Sequence, residues 1–299
     1  MAERARGRTF LNPVPYPKDK TYRGRIAPTP TGRLHSGHAA TFWKAQERAR
    51  DRGGQLLLRI EDIDKARCKP EFVAGCIEDL KWFGFSWDEG PDLPHSLHAP
   101  YYQSQRIPHY REALDRLISI GAAYRCHCSR KDIEQAVRAP HAADDEIIYP
   151  GTCRPPHRTK TSPPSKQQYC WRFKVPDGVR VGFEDGRKGP CDFVSGTDFG
   201  DFVLWRADEV PSYQLAVVVD DHMMRITEVV RGEDLLVSTA RQLLLYDALQ
   251  WEAPAFFHCP LMMDEQGNRL AKRHQSLSLQ ALREAGQTPE SIRKEWPGT

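Results

Sequence analysis

Residues 27–38 read APTPTGRLHSGH, with two prolines, two glycines and two histidines in close succession. The residues before them, Arg23 to Ala27, form a short run of strand character. After them His38 to Arg52 reads as a helix, with Ala39, Phe42, Trp43, Ala45 and Ala49 on one face and Gly53-Gly54 as its stop. QLLLRI (55–60) is a continuous apolar run of strand length, the pattern of a strand covered on both faces. Pro70 to Gly84 predicts a second helix. Strand, helix, strand, helix opens a doubly wound parallel sheet, so the fold class is α/β. The proline-rich stretch then falls at the carboxyl edge of the first strand, where open sheets bind ligands. Pro28 and Pro30 stiffen the exit. Gly32 and Gly37 allow tight bends and close approach of a ligand. His38 stands at the helix N-terminus, which favours anions, and His35 and His38 together are placed to donate to a phosphate.

Beyond a helix at Tyr110 to Gly121 the pattern changes. Residues 124–166 carry cysteines, prolines and charges without a period. YCWRFKV (169–175) and VRVGFE (179–184) read as strands, and this middle third reads as an insertion outside the sheet. The sheet resumes with strands at Gln214 to Val219 and Ile226 to Val230, and Asp220-Asp221-His222 reads as a turn between them. TARQ (239–242) fits a capping box before a helix ending at Leu249. A hairpin around DEQGN (264–268) and short helices complete the chain.

Composition narrows the class. The 299 residues are 39% hydrophobic and 28% charged with net charge +3, which suits a globular protein and does not by itself imply nucleic acid. Basic stretches such as RKDIEQAVR (130–138) bias the middle of the chain toward positive charge. No run approaches the roughly 20 apolar residues of a membrane span, so no membrane partner is expected. No secretory signal is visible, and a reducing cytoplasm is the expected compartment. Among the cysteines, Cys126, Cys128 and Cys153 form a group whose spacing suits tetrahedral zinc. Chemistry alone leaves the fourth ligand open, with His127, His141 and His157 near. Cys68, Cys76, Cys170, Cys191 and Cys259 read as isolated.

RIAPTPTGRLHSGH (25–38) resembles the signature of the class I aminoacyl-tRNA synthetases in the glutamyl form. The resemblance continues in order through LLLRIEDID, FGFSWDEG, YYQSQR, YQLAVVVDDHMMRITEVVRGEDLL and GNRLAKR, covering residues 23–275. The whole chain is similar to the short glutamyl-Q tRNA(Asp) synthetase members. The resemblance implies a Rossmann-like class I catalytic fold with a zinc-bearing α+β insertion. It divides the chain into an extension (1–22), a first catalytic half (23–99), the insertion with its RNA-facing surface (100–205), a second half with the lysine loop (206–273) and a short helical tail (274–299). No anticodon-binding domain is expected.

By the same resemblance, Arg25, Ala27, Thr29, Glu61, Tyr213 and Arg231 line the glutamate pocket. His35, Gly37, His38 and Lys272 bind ATP, and His35, His38 and Lys272 assist the chemistry. Cys126, Cys128, Tyr149 and Cys153 hold one structural zinc. The lysine loop departs from the family pattern, with Arg269 in place of its first lysine and Ala271 in place of a serine. Expected partners are L-glutamate, ATP with Mg2+ and queuosine-bearing tRNA(Asp), handled by a monomer. Two alternatives share the motifs: a truncated enzyme charging tRNA(Glu), and an inactive RNA-binding paralogue.

Overall fold

The computed structural model describes residues 9–12, 21–94, 97–129, 131–133, 148–155, 168–262 and 278–296. Strand β1 (Thr9–Asn12) precedes the first ordered unit, β2 (Arg23–Ile26), α1 (Ser36–Asp51), β3 (Gln55–Leu58) and α2 (Pro70–Phe83). Strands β2 and β3 pair parallel, with Ile26 opposite Leu58. The turn after α1 needs glycine at position 54, because a Cβ there would meet the Tyr22 carbonyl at 2.5 Å. Helix α2 has proline in its first turn and stops at Gly84, whose φ of 94° is left-handed.

Helix α3 (Ile107–Ser119) and β4 (Ala123–Cys126) follow, then β5 (Cys170–Phe173), β6 (Arg180–Asp185), β7 (Gly189–Val194) and β8 (Val203–Trp205). Strands β4, β5 and β8 form a small antiparallel sheet. The rest of the middle third does not stand apart from the main sheet. Strand β6 pairs with β1 along its first residues and meets β10 (Ala255–Cys259) where Phe256 lies opposite Asp185, both in parallel. Strand β7 folds back on β6 as a hairpin. That part of the expected insertion is therefore sheet.

Helix α4 (Tyr213–Met223), β9 (Glu228–Gly232) and α5 (Leu236–Leu249) lead to β10, which pairs parallel with β9. Thr227 N–H donates to the Arg23 carbonyl at 2.9 Å, which sets β9 beside β2. Two further corrections apply. The segment expected as a strand at Gln214 to Val219 is helix, capped by Ser212. Leu215 to Asp221 are all buried, so this stretch has no solvent-facing side and lacks the 3.6-residue alternation that would reveal a helix. Thr239 likewise lies inside α5, which has no side-chain cap, and forms no capping box.

The β2–β3 pair and the neighbouring sheet that contains β9 are both covered on two faces. Leu57 and Val229 enter a core with α3, α4 and α5, whereas Leu56, Leu58 and Val230 enter a second core with α1 and α2. Helices α6 (Leu279–Glu284) and α7 (Pro289–Lys294) close the second core, where Trp296 stacks on Phe83 at 5.5 Å and donates to Ser36 Oγ at 3.1 Å. Among the described residues no helix is long and apolar enough to cross a membrane.

Asp79 of α2 is a cost to this packing. It is buried, and its Oδ2 lacks a hydrogen-bond partner. Burial pushes its carboxyl up to about 6, against the attraction of Arg283 and Arg33. The folded state then holds this proton more tightly than the unfolded chain, so stability falls as pH rises from about 4 to 6. We expect Asp79→Asn to gain about 2 kcal/mol at pH 8 and nothing below pH 4, measured by urea unfolding at both pH values.

Candidate active site

A cleft of about 1200 Å³ opens where the chain leaves β2, β3 and β9. Its lining includes Arg25, Ala27, Thr29, His35, Gly37, His38, Glu61, Tyr213 and Arg231. The structure thus brings together every pocket residue expected from sequence except Lys272, which lies outside the described residues together with Arg269 and Ala271. The expected tight bend is present at Gly32, where the chain bends at Thr31-Gly32 and the Thr31 N–H donates to the Thr29 carbonyl at 2.8 Å, whereas Gly37 lies inside α1; neither glycine has a positive φ. A Cβ on Gly32 would meet nothing within 4 Å, and one on Gly37 would come no nearer than 3.8 Å to Met262.

His35 is the N-cap of α1 and His38 lies in its first turn, with ring centroids 6.2 Å apart. The helix start carries no side-chain cap and no acidic residue. Its dipole and the two imidazoles favour an anion on the cleft side.

Glu61 follows β3 and is buried. Its backbone N–H donates to the Pro28 carbonyl at 2.9 Å. Arg59 Nη2 donates to its Oε1 at 3.1 Å, and Thr29 Oγ1 to its Oε2 at 3.4 Å. Burial pushes the Glu61 carboxyl above its ordinary range, opposed by Arg59 and Arg25. A bound ammonium would add an opposing cation and favour the carboxylate.

A charged hub lies beneath the cleft. Asp220 and Asp221 are buried on α4, and the expected turn there is helix. Asp221 accepts from Arg59 Nη1 at 2.6 Å and faces Arg25 Nε at 3.6 Å. Asp220 accepts from Arg106 Nε at 2.6 Å, Gln103 Nε2 at 2.8 Å and Tyr110 Oη at 2.9 Å. Arg25 also donates to the Val230 carbonyl at 3.1 Å.

Arg231, the last residue but one of β9, lines the cleft. Its Nε donates to His258 Nε2 at 3.2 Å, its Nη2 to Thr239 Oγ1 at 2.6 Å and its Nη1 to Tyr213 Oη at 3.4 Å. A guanidinium has five N–H groups. Three are used here, which leaves one on each Nη, the spacing of a bidentate carboxylate clamp. His258 Nδ1 lies 2.7 Å from Asp185 Oδ2. Burial, aided by Arg231 and opposed by the Asp185 hydrogen bond, lowers the His258 pKa and keeps the ring neutral.

Sequence reasoning missed Asp185, His258 and Thr239, and also Ser278, Gln280, Ala281 and Glu284, which line the far wall from α6 and the residue before it. Ser278 is legible as a cap, and it does accept from Ala281 N at 3.2 Å. The rest join through tertiary contacts that no local pattern marks.

A second cluster lies at the end of β4. The sulfurs of Cys126, Cys128 and Cys153 all fall within 4.8 Å of one another. Tyr149 Oη lies 3.3 Å from Cys126 Sγ and 3.7 Å from Cys128 Sγ. His127 turns its ring to Tyr169 instead, while His141 and His157 lie outside the described residues. Cys170, read as isolated, stands opposite Cys126 in the β4–β5 pairing. Its thiol, with Tyr149 and Arg172, favours the Cys126 thiolate and lowers that pKa. The three thiols are the soft donors that zinc favours, and the buried phenol is a hard oxygen in reach as the fourth of a tetrahedral set.

The model for tRNA synthetases class I (E and Q), catalytic domain, matches residues 21–295. The glutamyl-Q tRNA(Asp) synthetase of Nitratidesulfovibrio vulgaris is 48% identical, covering 88% of this chain and 82% of that protein. That of Symbiobacterium thermophilum is also 48% identical, over 90% and 83%. A glutamate–tRNA ligase of a Hydrogenobaculum species is 40% identical over 90% of this chain and 56% of its own length. The solved glutamate tRNA ligase of Elizabethkingia meningosepticum, in complex with its amino acid, superposes with a TM-score of 0.73 at 33% identity over 85% of this chain. The chain spans about half of that solved protein, 52% of it. On the match across nearly all its described residues, the chain belongs to the class I tRNA synthetases of the E and Q group, a family of ligases.

Proposed function

We propose that the chain activates L-glutamate with ATP and transfers it to the queuosine base of tRNA(Asp). The observation that carries this reading is the two-pronged Arg231 fork facing buried Glu61 across one cleft. The fork suits the side-chain carboxylate of glutamate, and Glu61 with Thr29 suits its ammonium. Ala27 leaves room beside them, and Arg25 adds a positive charge.

Substrate ATP, carrying Mg2+, would lie along His35, Gly37 and His38 at the α1 N-terminus, with Lys272 on the leaving pyrophosphate. The α-carboxylate oxygen attacks the α-phosphorus, the bond to the bridging oxygen breaks, and glutamyl-adenylate and pyrophosphate result. A hydroxyl of the modified base then attacks the adenylate carbonyl, loses its proton and displaces AMP. The cleft's work is positioning and charge stabilisation. The queuosine acceptor is supported by the names of the two relatives at 48% identity. Relatives at 40% identity carry the name glutamate–tRNA ligase, so tRNA(Glu) is the second acceptor to test. Charging of queuosine-bearing tRNA(Asp), queuosine-free tRNA(Asp) and tRNA(Glu) with labelled glutamate separates them. Charging of the first alone supports the proposal, and charging of tRNA(Glu) alone overturns it.

Zinc would be held by Cys126, Cys128, Tyr149 and Cys153. It would supply structural cross-linking, tying the end of β4 to residues 149–153. We expect Cys128→Ser to remove the metal, read as zinc released on unfolding, and to lower Tm by roughly 5–10 °C.

A further inference from the structure

We propose that His258, fixed by Asp185, is a positioning residue that sets the plane of the Arg231 guanidinium and thereby the affinity and selectivity for a substrate carboxylate. This rests on the reading of the cleft as a glutamate site.

Three neighbouring strands contribute one residue each. Asp185 ends β6, His258 lies on β10 directly opposite Arg231, and Arg231 lies on β9. The register therefore delivers carboxylate, imidazole and guanidinium in a row, with Arg231 at the cleft. All three are buried, as is Thr239.

The proton positions follow from the partners. Asp185 Oδ2 faces both the His258 backbone N–H, at 3.0 Å, and Nδ1, at 2.7 Å. A carboxylate only accepts, so the ring proton sits on Nδ1. Nε2 then presents a lone pair, which receives the Arg231 Nε–H. Asp185 is anchored in turn, since it accepts from Arg187 N at 3.1 Å and Lys188 N at 2.9 Å in the β6–β7 turn. Thr239 receives the Nη2–H, and its own hydroxyl has two acceptors in reach, the Leu235 carbonyl at 3.3 Å and the same His258 Nε2 at 3.0 Å, so the imidazole anchors the threonine as well as the guanidinium. The guanidinium is thus gripped at Nε and on the Nη2 edge. A planar group held at two points on its rear cannot rotate, so the N–H pair left for substrate is aimed before substrate arrives.

A histidine buried merely as packing would not need its second nitrogen turned to a cation. Removing the acceptor leaves the Nε–H without its partner and the plane held only through Thr239 and Tyr213. An amide cannot accept this tightly, so loss of aim weakens glutamate more than glutamine.

The test is glutamate-dependent exchange of pyrophosphate into ATP, with KM taken separately for glutamate and ATP and with glutamine as competitor. His258→Leu is expected to raise the glutamate KM by about 10- to 100-fold and to cut the preference for glutamate over glutamine about tenfold, with ATP KM within about twofold. His258→Gln, which keeps an acceptor and a donor, should recover a large part of both losses. Asp185→Asn should repeat the glutamate-specific defect, because its amide can stabilise the wrong ring tautomer. It decides the matter if His258→Leu does not accumulate as folded protein. Glutamate KM within twofold of wild type in these variants, or equal losses for glutamate and ATP, would overturn the proposal alone. Wild-type protein inert toward glutamate would overturn the reading beneath it as well.

Discussion

Arg231→Leu is expected to lower kcat/KM for glutamate about 10³-fold in pyrophosphate exchange, close to 4 kcal/mol. The variant removes both N–H groups aimed into the cleft and replaces a cation by an apolar surface where the substrate brings a full negative charge. ATP KM should stay within about twofold, because His35, Gly37 and His38, and not Arg231, are the residues proposed for the phosphates. Arg231→Lys is expected to recover charge but not geometry. An ammonium is a point charge with three donors and no planar fork, so it cannot serve His258, Thr239 and both oxygens of a carboxylate at once. It should remain about 10²-fold below wild type. A loss smaller than tenfold in Arg231→Leu would place the carboxylate contact elsewhere, with Arg25 the next candidate.

The largest effect on stability is expected at Asp220. It sits at 0% exposure and accepts from Arg106, Gln103 and Tyr110. Asp220→Ala strands the buried Arg106 cation and leaves Arg59, also at 0% exposure, with less compensating charge. Breaking one partner of a buried ion network costs about 3–5 kcal/mol. Urea titration followed by tryptophan fluorescence should show the midpoint fall with little change in slope. Asp220→Asn keeps the shape and part of the hydrogen bonding, so its loss should be smaller. An unchanged midpoint in Asp220→Ala would mean that solvent reaches this hub.

Much of the first catalytic unit was legible because its signals are local. Leu56, Leu57 and Leu58 form an apolar run, and the structure divides them between two cores, as a doubly covered strand requires. Gly53-Gly54 and Gly84 mark helix ends that the chain does respect. The same logic failed at Leu215 to Val219. A segment buried all round has no period to read, and β-branched valines tilt the reading toward strand. It failed again at Thr239, where the TARQ pattern suits a cap but the hydroxyl serves Arg231 from mid-helix. The cleft's walls were readable where a motif stands at a strand end, as with Glu61 and Arg231. The residues behind them were not, since Asp185 and His258 are distant in sequence and meet only through strand register.

That register carries a cost during synthesis. Strand β2 is bound to its neighbour through Arg23 N–H and Thr227 Oγ1 at 2.8 Å, across a sequence separation of 204 residues. On the ribosome the N-terminal strands must wait, edge unsealed, until Thr227 has emerged. The small antiparallel sheet of β4, β5 and β8 is complete first, since β8 ends at Trp205 and β9 begins only at Glu228. Its completion leaves an exposed hydrophobic edge upstream, where a chaperone or a second nascent chain competes with β9.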